Sequence, residues 1–190
     1  MSLARLNIVD RPLPKGKSEV SLSAFAFLFS ELVQYCLANV KSTGELESRL
    51  ESVGVGVGLR LLELLCQRER ASKRDIRLLD ALKFVSTTLW KYLFGHQARD
   101  LEHSTTAPDE YMINDYDLFV NKYISLPKDY ASLNCAAFVA GIVRGALDGA
   151  GFPSRVTAHF VPVQGQAKPK TVILVKFDAS VMKREERLPS

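Results

Sequence analysis

The residues of this chain whose chemistry can go beyond packing are few: Cys36, Cys66 and Cys135, with His96, His103 and His159. Cys135 and His159 are the pair with enzymatic potential. Cys135 opens "LNCAAFVAGIVRGAL", an apolar run of small residues that reads as a helix, and His159 lies in "RVTAHFVPV", which reads as a strand. A thiol at a helix start faces unpaired N–H groups and the positive end of the helix dipole, both of which favour the thiolate. The chemistry would be that of a small cysteine hydrolase with His159 as base. Against it, only 23 residues lie between the two, most of them in the helix, and no third group is available to orient the histidine. A cysteine set among alanines is ordinarily inert filler.

The other motifs are weaker. "VGVGVGL" resembles a phosphate loop only superficially, because Leu59 stands where the dinucleotide fingerprint needs its third glycine and no Gly-Lys-Ser/Thr follows. Gly54, Gly56 and Gly58 fit better as a smooth helix face that lets another backbone approach closely. The histidines and cysteines do not pair at metal-ligand spacing. Asp115 and Asp117 fall in a predicted turn, where aspartate bonds its own backbone. The basic run Arg68, Arg70, Lys73, Arg74 and Arg77 could meet anionic headgroups at a membrane surface, but Glu69 and Asp75 dilute it and a solvated connector is favoured. Without interleaved aromatics, it gives no nucleic-acid signal. No cofactor or metal is expected.

These residues must be positioned by elements legible in the pattern. Met1 to Lys17 reads as a loose arm. From Ser18 a helix follows, with Leu22, Phe25, Leu28, Phe29, Leu32 and Cys36 on one face at helical spacing. Phe27 lies off that face, among Ser23, Ser30 and Gln34. A second helix opens at Ser42 with Glu45 in a capping box. A third opens at Ser72 with Asp75, presents Ile76, Leu79, Leu82, Val85, Leu89 and Leu93, and stops at Gly95. His96 to Asp109 reads as a polar loop, and "EYMINDYDLFVNKYISLP" as one or two short strands. The Cys135 helix is the fourth, with Phe138, Ile142 and Val139 toward a sheet, and it ends at Gly149, Gly151 and Pro153. Two strands around "QGQAKPK" form a hairpin, and "VMKREERLPS" is a charged tail or a short helix. The order predicts an α+β fold of about four to five helices and a small, mainly antiparallel sheet over residues 18–178, between the arm 1–17 and the tail 179–190.

A chain of 190 residues, 47% hydrophobic and 24% charged, suits one folded domain. Its formal net charge of +4 permits anionic partners without demanding them. Three widely spaced cysteines indicate a reducing compartment. The N-terminal stretch lacks the apolar core of a signal peptide, and "CAAFVAGIV" is far short of a membrane span. A cytosolic protein with at most peripheral membrane contact is expected.

The stretches "EVSLSAFAFLFSELVQY", "VGLRLLELLCQRE", "LWKYLFG", "YISLPKDYASLNCAAFVAGIVRGALDGAGFP" and "VTAHF" together resemble the small subunits of the transport protein particle, the TRAPP complex, most closely those of the subunit 5 type. The resemblance covers nearly the whole chain, in order. It implies helices on one side of a small antiparallel sheet. It further implies a non-catalytic subunit of an assembly that tethers vesicles between endoplasmic reticulum and Golgi and exchanges nucleotide on a Rab GTPase. The neighbour it implies is a subunit-3-type chain, met through helical faces. Relatives of the subunit 3 type carry an acylated cysteine above an apolar channel. The matching stretch "ERASKRDIR" has none, and Cys66 falls earlier, inside the helix. With Phe27 outside the core face and a glycine face on the second helix, the expected partner contacts are Phe25, Phe27, Phe29, Gly54, Gly56 and Gly58.

Overall fold

In a computed structural model of the chain, the described residues are 20–69, 76–124, 130, 133–163, 165 and 169–188. The arm 1–17, the Ser72–Asp75 capping box, and Arg70, Lys73 and Arg74 of the basic run lie outside them. The helices are α1 (Leu22–Leu37), α2 (Thr43–Glu69), α3 (Leu78–Phe84), α4 (Trp90–Phe94), α5 (Ala137–Ala150) and α6 (Ala179–Glu186). The strands are β1 (Asp100–His103), β2 (Glu110–Asp115), β3 (Ser154–Val161) and β4 (Lys170–Phe177). All pairings are antiparallel, in the order β1-β2-β4-β3. The predicted α+β class holds, and β3–β4 is the predicted hairpin.

Local chemistry explains the element ends. Ser42 Oγ accepts the Glu45 N–H at 3.3 Å, as a capping box requires, while the Glu45 carboxylate reaches back to the Lys41 N–H at 2.8 Å. α3 and α4 are one continuous rod joined by a π-helical turn, Val85–Leu89. There the Ser86 and Thr87 hydroxyls donate to the Lys83 carbonyl at 3.2 and 2.6 Å and occupy a loosened backbone acceptor. The rod ends at Gly95 with φ of 80°. α5 ends in a Schellman pattern: the Gly151 N–H donates to the Asp148 carbonyl at 3.0 Å and the Phe152 N–H to the Leu147 carbonyl at 2.8 Å.

The centre of the molecule is the crossing of α2 and α5, which run parallel. Glu51 meets Gly141, Val55 meets Gly145, and Gly54 and Gly58 meet Phe138 and Ile142. Glycines four residues apart on each helix therefore interlock backbone to backbone. The thin face of α5 therefore lies against α2. Phe138 turns to α1, its ring 5.4 Å from that of Phe29, rather than to the sheet.

Three further expectations are corrected. "His96 to Asp109" is not all loop, since Asp100–His103 pairs with Tyr111–Asn114 as β1, a four-residue edge too short and polar to show a period. Ile76 and Leu79 are exposed, and the buried line of the third rod is Leu78, Ala81, Leu82, Val85, Leu89 and Trp90. A stripe drawn in steps of three drifts around a helix and misses the alternation of three and four. Leu28 and Leu22 of α1 are exposed as well. The charged tail forms the short helix its sequence allows, α6, which buries Val181 and clips two helix ends. Glu185 accepts the first N–H of α3, from Leu78, at 3.0 Å and binds Arg77 at 3.3 Å, while Arg184 donates to the Gly151 carbonyl at 2.8 Å. Acceptors at a helix start and donors at a helix end are where the orphan backbone groups need them.

Candidate functional site

Cys135 and His159 do not share an environment. Cys135 precedes α5 in a turn and is 1% exposed; burial, with Glu47 nearby, pushes its thiol up to about 12. Desolvation thus outweighs whatever the helix start contributes, the reverse of nucleophile activation. His159 is exposed on β3 and bonds Thr157 Oγ1 at 2.8 Å. The expected behaviour of the thiol is slow alkylation by iodoacetamide in the native state, about at the rate of unfolding, with no change in His159→Ala. A thiol kept protonated by the fold, but free to ionise in the unfolded chain, costs stability as pH rises from about 9 toward 12. Rapid labelling of native Cys135 that depends on His159 would contradict this environment.

The glycine run binds no phosphate in this arrangement, because α5 covers it. A Cβ at Gly54 would lie 2.2 Å from the Phe138 carbonyl oxygen and one at Gly58 2.1 Å from that of Ile142. Gly54 and Gly58 are therefore used inside the chain, and of the three only Gly56 keeps an outer position, beside Arg60. Phe25 and Phe29 are also engaged internally. They belong to a run of rings, Trp90, Phe94, Phe119, Phe25, Phe29 and Phe138, with successive centroids 4.8–5.6 Å apart, that fastens α1 to the body. Such contacts stabilise beyond their buried area.

Among the described residues, the outer side of α1 is exposed. Phe27 is 75% exposed, Leu28 72% and Tyr35 71%. With Ala24 and Glu31, these residues occupy a stripe about 100° wide at 100° per residue, centred roughly 150° from the buried line Phe29, Val33 and Cys36. The sequence pointed to Phe27 alone. The core-face pattern takes in Leu28 and leaves out Tyr35, although the spacing 24, 27, 28, 31, 35 carries the signal. A group of large exposed apolar side chains on one helix face, interrupted here only by Glu31, marks an interaction surface more often than scattered single residues do.

The described part of the basic run is locally committed. The Arg68 guanidinium bonds the Tyr92 hydroxyl and stacks on that ring 5.5 Å from its centroid, and Arg77 pairs with Glu185 at 3.3 Å. A cavity of about 960 Å³ opens between α1 and α4. Leu65 reaches its wall, while Cys66, one residue on, is exposed. Among the described residues, no helix is long and apolar enough to cross a membrane.

Comparison with known proteins follows the same fold. The family model described as "Transport protein particle (TRAPP) component" matches residues 25–178. "Trafficking protein particle complex subunit 5" of Dictyostelium discoideum is 59% identical over 184 residues, covering 97% of this chain and 99% of the relative. The Homo sapiens protein of that name is 42% identical over 181 residues, covering 95% and 93%. "Trafficking protein particle complex subunit 31" of Saccharomyces cerevisiae is 33% identical, covering 89% and 80%. Among solved structures, trafficking protein particle complex subunit 3 from Naegleria fowleri, covalently bound to palmitic acid, superposes with a TM-score of 0.68 at 19% identity, covering 82% of this chain and 93% of that one. At that identity the likeness speaks for the fold alone.

Proposed function

The chain belongs to the family of transport protein particle (TRAPP) components, as one of the subunit 5 type, and we propose from this premise that it is a non-catalytic structural subunit of a vesicle-tethering complex. The particle it joins acts in transport between endoplasmic reticulum and Golgi and, as a whole, exchanges nucleotide on a Rab GTPase. The chain sits on the cytoplasmic side of those membranes as a peripheral member. Its neighbour is a subunit-3-type chain, and the contact includes the outer stripe of α1. The observation that carries this reading is the surplus of apolar surface at Phe27, Leu28 and Tyr35 on a helix whose core face is already filled. The buried, protonated Cys135 supports the absence of catalysis.

Burying Phe27 in an interface is worth roughly 1.5–3 kcal/mol. Phe27→Asp is therefore expected to weaken association with the neighbouring subunit by roughly tenfold to a hundredfold. The helix itself should persist, because the side chain touches little of its own chain. Affinity capture of the tagged chain from its own cells, with stoichiometric partners identified, tests the reading. Equal recovery of TRAPP subunits by wild type and Phe27→Asp would remove the α1 stripe from the interface. Recovery of no TRAPP subunit by the wild-type chain would remove the function.

A further inference from the structure

β3 is an open edge of the sheet. It pairs with β4 along its full length, Ser154 to Val161, in unbroken register, and among the described residues no other strand lies beside it. Its eight residues, "SRVTAHFV", contain no proline and no bulge, and Arg155 is the one lysine or arginine among them, so the edge is only lightly blunted. Two adjoining hollows of about 500 and 610 Å³ run beside it, sharing Glu51, Arg155, Val156 and Thr157. The opposite wall is the first half of α2 and α5. The floor is small and apolar: Ala137, Ala140 and Ala158.

Two features of this groove point to a ligand. Carboxylates outnumber guanidinium groups, with Glu47, Glu51, Asp148 and Asp178 against Arg144 and Arg155, although Glu47 already accepts the Asn134 N–H at 2.9 Å and Asp148 the Ser154 N–H at 3.3 Å. Arg144 is already shared by Glu51 at 2.7 Å and Asp148 at 3.5 Å. Its buried polar groups are also incomplete. Asn134 and Ser154 are only 5% and 7% exposed, yet Asn134 Nδ2 and Ser154 Oγ have no hydrogen-bond partner. Each belongs to one of the two hollows. A buried polar atom without a partner is costly unless something else supplies one.

We infer that the β3 edge takes up an extended, basic peptide of a partner protein as a fifth strand. Main-chain bonds to β3 hold it, lysine or arginine side chains meet the carboxylates, and alternate small apolar side chains rest on the alanine floor. Nucleic acid and anionic lipid carry the wrong sign for this groove. The α1 stripe is not involved, so the two surfaces can be tested apart.

The test uses the full-length chain and an acetylated octapeptide of alternating lysine and valine, labelled for fluorescence anisotropy, with amide exchange read at Arg155 to Val161. Binding is expected, with slowed exchange along β3. It should weaken roughly tenfold or more in the alternating glutamate–valine peptide, in the lysine–valine peptide methylated at alternate backbone nitrogens, and in Ser48→Arg, which puts a cation on the exposed rim. Phe27→Asp should leave binding unchanged. No binding, or binding indifferent to charge sign, to backbone methylation or to Ser48→Arg, overturns the inference.

Discussion

Gly58→Ala and Gly141→Ala are each expected to destabilise the protein by about 3 kcal/mol, the upper range for overpacking a tight core. A Cβ at Gly58 would lie 2.1 Å from the Ile142 carbonyl oxygen, and one at Gly141 2.1 Å from that of Glu51. Both obstacles are backbone in the middle of a helix. Neither can rotate aside, so α2 and α5 must separate, and the buried side chains along the crossing lose contact together. Alanine's better helix propensity returns only about 1 kcal/mol. Gly56 is the internal control. There the new methyl meets only the Arg60 guanidinium, at 3.3 Å, and that flexible side chain can yield. Gly56→Ala should therefore be neutral or stabilise by a few tenths of a kcal/mol up to about 1. In thermal melts the expectation is a drop of roughly 6–12 °C for Gly58→Ala and no drop for Gly56→Ala. Equal melting of all three proteins would show that the two helices do not approach this closely.

The elements with strong periodicity or capping chemistry were legible in the sequence: α1, α2, α5, the β3–β4 hairpin, and the glycine stops at Gly95 and Gly151. What was not legible depended on three-dimensional neighbours. β1 is recognisable only through its pairing with β2, because "DLEH" alone has too few residues to show alternation. The glycines of α2 were readable as a packing face, but not whether the occupant would be a partner or the chain's own α5. The matching pair Gly141 and Gly145 settles that. On α1 the apolar residues are so numerous that two stripes overlap, and pattern alone could not divide Leu28 from Phe29. The aromatic run through Phe119 and Phe94 makes the division by fixing which side faces inward. α6 is open in the sequence between a charged tail and a short helix, because its buried content is one valine. Its value lies in Arg184 and Glu185, whose partners are the ends of other helices.

Asp115 shows the same dependence, and its removal should have the next largest effect. The sequence reading placed it in a turn bonding its own backbone. That is half of its role, since Oδ1 accepts the Asp117 N–H at 3.0 Å. Oδ2 accepts the Trp90 indole N–H at 2.6 Å and is 3.0 Å from His96 Nε2. The carboxylate is 4% exposed and Trp90 is fully buried. One acidic side chain thus ties the end of β2 to the start of α4 and to the turn after it. Asp115→Ala leaves a buried indole donor and a loop N–H without acceptors and opens a void, each with its own cost. The expected loss is about 3 kcal/mol in urea titrations, with Asp115→Asn closer to wild type because it keeps one acceptor and the volume. Trp90→Phe should cost about 2 kcal/mol through lost contacts and a carboxylate one donor short. Because both changes break the same bond, the double variant should be less destabilised than the sum by about 1 kcal/mol or more. Trp90 is the single tryptophan of the chain, so its emission reads the site directly. Strict additivity, together with an unshifted tryptophan emission in Asp115→Ala, would show that the carboxylate does not hold the indole.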